Sequence, residues 1–396
     1  MRGSLVNRGK NRWALVLDLG YVVNATTGKR TRKQKWVKFA GTKQQAGEKL
    51  TECVRAANRN EFVEPSKQTV GEWLAEWLTK IIKPATRPNT HKAYKCIIDG
   101  SLTPALGLIP LQKLKPADLQ QYTAERSHLA AATLRMHHAI MSGALKSAMK
   151  NGLITRNVAQ LVEGLPKIER KPDDIAANVL DLDEARRLLA AAKAAGPRCA
   201  AFYALALDSG ARLGELAGLK WIDLDLEKGT VMIVRQLQSS KLAEDGTVQF
   251  GPTKTGRSRT VDLGGETITL LRAHKQHQAE VKMKNRSVYR DHGLVFTKEA
   301  ADLFHKHDTL GTPLQTHNIG VGEFAKLLTA ADVKRITPHG LRHTSATLLL
   351  MAGVPAKVVS ERLGHSKIGV TLDTYSHVLP SMGRGAADQL GALLHG

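Results

Sequence analysis

Acidic residues are scarce in this sequence. Asp and Glu number 36 against 58 Lys and Arg, a formal charge of +22. Solubility does not require so one-sided an excess, which points to a polyanionic partner, most commonly nucleic acid. Cysteine is rarer still. Cys53, Cys96 and Cys199 lie far apart without ligand spacing, which argues against a disulfide framework or a cysteine-built metal centre and fits reduced thiols. No apolar run approaches the roughly 18 residues of a membrane span. Asp18 interrupts the first apolar stretch, so no signal peptide is expected. The hydrophobic share of 42% is enough for real cores, and 396 residues suggest two or three domains.

Residues 1–64 carry 14 Lys and Arg against 5 Asp and Glu. Trp13–Leu19 and Lys35–Phe39 alternate as strands do, with a polar, basic loop expected between Asn24 and Lys33, and a capped helix is expected from Thr42. Glu64–Gln68 reads as a linker. Beyond it, Thr69 opens an amphipathic helix with Trp73, Trp77, Leu78 and Ile81 on its apolar face, expected to break at Pro84 and Pro88. Three more helices follow (Thr90–Ile98, Ala117–Arg126, Ala130–Met149), so residues 66–165 are expected to form a helical bundle. Basic side chains there, such as Lys92, Lys95, Arg135 and Lys146, can serve as phosphate contacts or simply as solvated charges. The adjacent His137 and His138 face different ways and are given no chemistry. Leu165–Asp174, charged and containing two prolines, reads as an interdomain linker.

In the last part, residues 175–396, helices are expected over Asp181–Ala195 and Arg198–Asp208. Strands are expected over Thr230–Leu237 and Val248–Leu263, with a turn at Thr255-Gly256. A mostly polar loop is expected over Lys282–Asn318, holding a short apolar strand at Leu294–Phe296 and solvent-facing His305 and His307. Met382–Leu394 reads as an amphipathic tail helix. The fold class is therefore multidomain and mainly α, with small antiparallel β-sheets.

Chemistry concentrates near the C-terminus. Thr337 suits a helix N-cap and Pro338 the first helical position; His339 and Arg342 then share a face. Gly353 and Gly364 stop successive helices, the second delivering His365 from a turn, and Tyr375 follows ten residues later. Two imidazoles, a guanidinium and a phenol without a carboxylate cage suit a phosphodiester better than a metal. Arginine's fork binds phosphate oxygens, a tyrosine oxygen can attack phosphorus in line, and histidine can move protons near neutral pH. Arg212 lies upstream among apolar residues, where a buried guanidinium needs a partner, and Glu215 at i+3 can pair with it and orient it. Lys254 sits at a hairpin with Arg257 and Arg259. By itself it reads equally as a basic turn touching a DNA backbone.

Five segments now stand in one order: GARLGEL around Arg212, TKT around Lys254, HGLRHT, LGHS and TLDTYSHV. Together they resemble the tyrosine recombinase family, specifically phage and mobile-element integrases. The resemblance implies a 3′-phosphotyrosyl intermediate formed by Tyr375 and a phosphate held by Arg212 and Arg342. It implies hydrogen bonding and proton transfer by His339 and His365, and protonation of the leaving 5′-oxygen by Lys254. Ser209 stands where threonine is common, and Gly340 where an acidic residue often stands. The resemblance further implies an arm-site DNA-binding module at 1–64, a core-binding domain at 66–165 and a catalytic domain at 175–396. It implies a homotetramer on double-stranded DNA, a host DNA-bending protein and an excision factor as further partners, and action in the cytoplasm of a bacterial host, at the nucleoid. No cofactor is expected, because exchanging one phosphoester for another needs no ATP and no acidic triad for a divalent metal is evident.

Alternatives are open residue by residue. His339 and His343 at i, i+4 have the spacing of a zinc pair, but Gly340 replaces the glutamate such a motif carries; otherwise His343 packs or hydrogen-bonds locally. Tyr375 can be an ordinary half-buried aromatic. His377, two residues beyond it, faces away and is not taken as its base. As whole-chain alternatives, a type IB topoisomerase uses nearly the same residues, and a DNA-binding architectural protein can keep the fold without the reaction.

Overall fold

The computed structural model describes residues 3–23, 30–58, 63, 65–168, 176–299, 310–375 and 382–395. The chain divides into two compact units, Met1–Glu169 and Arg170–Gly396. His305, His307, His377 and residues 169–174 of the expected linker lie outside the described residues.

The first unit begins with a three-stranded antiparallel sheet of β1 (Gly3–Asn7), β2 (Arg12–Val23) and β3 (Arg30–Ala40), in that order. Leu15 and Leu17, alternate residues on β2, are buried with Ala46 and Cys53 of the helix Lys43–Asn58. The sequence reading missed β1, ended β2 at Leu19 instead of Val23 and began β3 at Lys35 instead of Arg30. β3 runs into the stretch expected to be loop, because the backbone of basic residues such as Arg30 and Arg32 pairs with β2 as readily as that of apolar ones does.

A helical part follows. Thr69 caps Val70–Trp77 through a capping box with Glu72. The break expected at Pro84 does not occur. The chain continues through a π-turn at Leu78–Ile82 into Lys83–Ala85, placing Pro84 within the first helical positions, where it needs no donor. Pro88–Ile97, Pro116–Glu125 and Ala131–Lys150 complete the set. Their core holds Trp73, Trp77, Ile98, Leu102, Tyr122, Ile140, Met141 and Leu145. His137 is buried with its Nδ1 2.7 Å from the Tyr122 hydroxyl, and His138 bonds the Ala159 carbonyl at 2.8 Å, so both rings have ordinary partners.

The second unit packs helices around Phe202, Tyr203, Leu205, Phe296 and Phe324. Its central helix, Pro197–Ser209, is buried along most of its length, and Leu182–Ala194 is capped by Asp181 and Glu184. The expected strands form two small sheets rather than one: β4 (Leu224–Asp225), β5 (Thr230–Ile233) and β8 (Arg259–Asp262) in one, β6 (Arg235–Leu237) and β7 (Phe250–Pro252) in the other. Leu294–Phe296 is buried but makes only an isolated bridge, Lys220 to Leu294. Among the described residues no helix is long and apolar enough to cross a membrane.

Candidate active site

Four turns and helix ends of the second unit deliver the side chains singled out from sequence. Pro197–Ser209 ends at Gly210, whose φ of +58° is left-handed, and Arg212 then precedes the short helix Leu213–Ala217. Glu215 is fully buried and meets Arg212 twice, accepting from its backbone N–H at 3.0 Å and from Nη1 at 2.9 Å. The pairing foreseen at i+3 is present.

Thr337 caps the helix Pro338–Met351 by accepting from the Gly340 N–H. Glycine at 340 has a steric reason, since a Cβ there would lie 2.5 Å from the Asn178 carbonyl oxygen. Asn178 in turn bonds the Thr337 backbone and hydroxyl, fixing the entry to the helix. One turn on, Arg342 is 2% exposed. Its Nη1 donates to the Gly210 carbonyl at 2.8 Å, while its buried Nη2 has no hydrogen-bond partner among the described residues. Burial and the charges of Arg212 and Arg259 pull its proton affinity down to about 9, so the guanidinium still carries its charge at neutral pH.

The helix Ala356–Leu363 closes on Gly364 at φ +68°, and the His365 N–H reaches back to the Ser360 carbonyl at 3.0 Å. This turn presents His365, whose Nδ1 lies 2.7 Å from the Thr371 hydroxyl. Tyr375 ends the helix Ile368–Tyr375 and is 1% exposed. Its hydroxyl is 2.8 Å from His343 Nδ1. Burial pushes the phenol up to about 12.

Burial also pulls His343 and His365 down to about 4, reinforced for both by Arg342, and lowers His339. All three imidazoles are neutral at physiological pH. Lys254 lies exposed on the turn after β7, and its charge acts on His339 along with those of Arg342 and Arg212. His339 and His343 stack edge to face, 4.7 Å between centroids. Among the described residues no three His, Cys, Asp or Glu are grouped to hold a metal ion.

The sequence reading missed a third guanidinium. Arg259 of β8, which it treated as part of a basic turn, donates to Glu215 Oε2 at 2.7 Å and to the Arg362 carbonyl at 2.8 Å. It therefore ties the hairpin of Lys254 to the turn of His365 and to the carboxylate of Arg212. Arg362 is fixed in turn by Asp208, at 2.6 Å. No local spacing signals Arg259, because Glu215 lies 44 residues away.

Three arginines, one carboxylate, neutral imidazoles and a buried phenol are thus linked by hydrogen bonds and close charges. The phage integrase family profile matches residues 178–382, just over half of the chain, and contains every one of these side chains. The chain belongs to the phage integrase family. The integrase also carries the family's N-terminal SAM-like domain at residues 69–125. Among curated relatives, the XerC-like tyrosine recombinase of Caldanaerobacter subterraneus subsp. tengcongensis is 28% identical, the match covering 98% of each chain. Among solved structures, the Tn1549 transposon integrase (residues 82–397) in complex with circular intermediate DNA superposes with a TM-score of 0.60 at 19% identity. That match covers 81% of this integrase and 99% of that chain. A lambda integrase from a tetramer bound to a Holliday junction gives a TM-score of 0.55 at 17% identity, over 92% and 95% of the two chains. The integrase is a site-specific DNA recombinase of the mobile-element type.

Proposed function

We propose that the integrase cuts and rejoins DNA through Tyr375, forming a 3′-phosphotyrosyl link and releasing a 5′-hydroxyl. The observation that carries this is the buried Arg342, charged, with one Nη lacking a partner among the described residues and Arg212 and Arg259 close by. A buried cation without a counter-ion is costly; a phosphodiester supplies both the charge and the acceptor. Arg212 and Arg342 hold the phosphate and stabilise the charge developing on its oxygens. Glu215 orients Arg212. His339 and His365, both neutral, hydrogen-bond the phosphate and assist proton transfer, and Lys254 protonates the leaving oxygen.

The division into an arm-site module at 1–64, a core-binding domain at 66–165 and a catalytic domain at 175–396 belongs to the same proposal. On the outer face of the N-terminal sheet Trp36 is exposed with Arg8 over its ring at 5.4 Å, and Lys38 and Arg12 are exposed beside it. Cations interleaved with an aromatic suit a DNA groove. The integrase acts as a homotetramer on double-stranded DNA, as the lambda protein does in its Holliday-junction complex. The tail helix Met382–His395 supports assembly, since Leu390, Leu393 and Leu394 are exposed along it. A host DNA-bending protein and an excision factor complete the partners, and the reaction takes place in the cytoplasm of the bacterial host, at the nucleoid.

The test is a nicked suicide substrate carrying the element's own attachment site, incubated with wild type and Tyr375→Phe and run on a denaturing gel. A covalent protein–DNA band that disappears in the variant is expected. Shifted DNA with no covalent band from either protein would reduce the integrase to a binding module.

A further inference from the structure

The nucleophile proposed above is not free. Tyr375 is among the largest fully buried side chains, and its hydroxyl hydrogen-bonds His343 Nδ1 at 2.8 Å. The two rings meet at 61°, with centroids 5.7 Å apart. His343 comes from the helix Pro338–Met351, immediately after Arg342, so the residue that touches the tyrosine oxygen is covalently next to one that faces the phosphate. On its other side His343 packs edge to face on His339.

These groups divide an acid–base problem in a definite way. A phenol pushed up to about 12 is ionised in only about one molecule in 10⁵ at neutral pH, so attack on phosphorus needs an acceptor for its proton. His365 is engaged with Thr371. Lys254 is assigned above to the leaving oxygen, not to the attacking one. His343 is neutral, and with its ring proton on Nε2 the hydroxyl donates to Nδ1.

We propose that His343 is the general base for Tyr375, an inference that rests on Tyr375 being the nucleophile. As Tyr375 Oη bonds to phosphorus, its proton passes to His343 Nδ1. The bond from phosphorus to the 5′-oxygen breaks with its electron pair, and that oxygen takes a proton from Lys254. Rejoining returns both protons. The imidazolium forms beside Arg342, and the bound phosphate's negative charge offsets the repulsion.

The full-length protein is tested in single-turnover cleavage of the nicked substrate. His343→Phe keeps the ring's shape without an acceptor, and His343→Asn keeps an acceptor that takes no proton. Both are expected to bind DNA as wild type does and to cleave about 10²-fold more slowly, the scale of a lost general base. Two further arms separate proton transfer from packing. Fluorinated tyrosine at position 375, whose phenol ionises more readily, is expected to recover most of the rate in the His343→Phe background. A 5′-bridging phosphorothiolate, whose thiolate leaves without an acid, is expected to rescue Lys254→Ala but not His343→Phe. A His343→Asn rate near wild type, or a His343→Phe defect untouched by fluorination, would overturn the base. In either case a wild-type band that depends on Tyr375 would leave the proposed function standing. Absence of that band in wild type would remove both.

Discussion

Glu215→Gln should injure this integrase more than its single lost charge suggests. The carboxylate is fully buried and holds Arg212 at 2.9 Å and Arg259 at 2.7 Å, with Arg342 close enough to feel it. Burial pushes this carboxyl up, but the bonds and charges of Arg259 and Arg212 outweigh burial and hold it below the usual range. Removing one partner of a buried ion pair costs about 3–5 kcal/mol, because the other charge stays buried. For a unit of this size that corresponds to a Tm loss of roughly 6–20 °C. The pH dependence follows from the lowered folded-state value. The stabilisation is fully present above the unfolded carboxyl's 4.5 and fades as pH falls through the lower folded value. Wild type should therefore lose this part of its stability in acid, and the variant should show a flatter profile. Calorimetry with and without inorganic sulfate makes the test sharper. An anion bound among three arginines supplies part of the missing charge, so sulfate should raise the variant's Tm more than wild type's. A Tm loss below roughly 2 °C, less than 1 kcal/mol, would refute the claim that Glu215 is the counter-ion on which the cluster is built.

Lys254→Ala should leave thermal stability unchanged, because the side chain is exposed, yet slow cleavage of an ordinary phosphodiester by about 10²–10⁴-fold; stopped-flow cleavage and a melting curve check the two halves. Gly364→Ala should destabilise by about 1–3 kcal/mol in urea titration, since φ is +68° and the new Cβ would lie 2.9 Å from Arg259 Cδ. The same variant should lose cleavage, because His365 follows on that turn. Trp36→Ala should keep its melting temperature, the ring being 51% exposed, and lose affinity for arm-site duplex while binding core-site duplex normally in a fluorescence titration.

What could be read from the sequence was local. The capping boxes at Thr69 and Asp181, proline at 338 and glycine at 364 each act within one turn of chain, and each lies where its chemistry requires. The helix Gly265–Lys284 carried no comparable signal. The positions it buries are Thr267, Leu271, His274 and Gln278, at helical spacing but mostly polar, so no hydrophobic stripe marks it. His274 and Gln278 are tolerated inside because the Val295 carbonyl accepts from both. Pairings between distant segments were equally hidden. His343 reaches Tyr375 across 32 residues and Arg259 reaches Glu215 across 44, and neither spacing has a period to detect. Pro84 misled for the opposite reason: the local rule is sound, but a π-turn moved the proline into helical positions where that rule does not apply.

The site's charge explains its construction. Clustered guanidiniums repel one another, the more so where burial lowers the local dielectric. Here the repulsion is contained by fixing each arginine to something that is not substrate. Arg342 is held by the Gly210 carbonyl, Arg212 and Arg259 by Glu215, and Arg259 also by the Arg362 carbonyl. One carboxylate among three guanidiniums leaves a surplus, and the Nη2 of Arg342, partnerless among the described residues, is where it is felt most. A second acid would relieve that strain but would also compete with the phosphate for the same donors. On the proposed chemistry, that incomplete neutralisation is what draws the scissile phosphate to the site, at some expense of stability in the free protein.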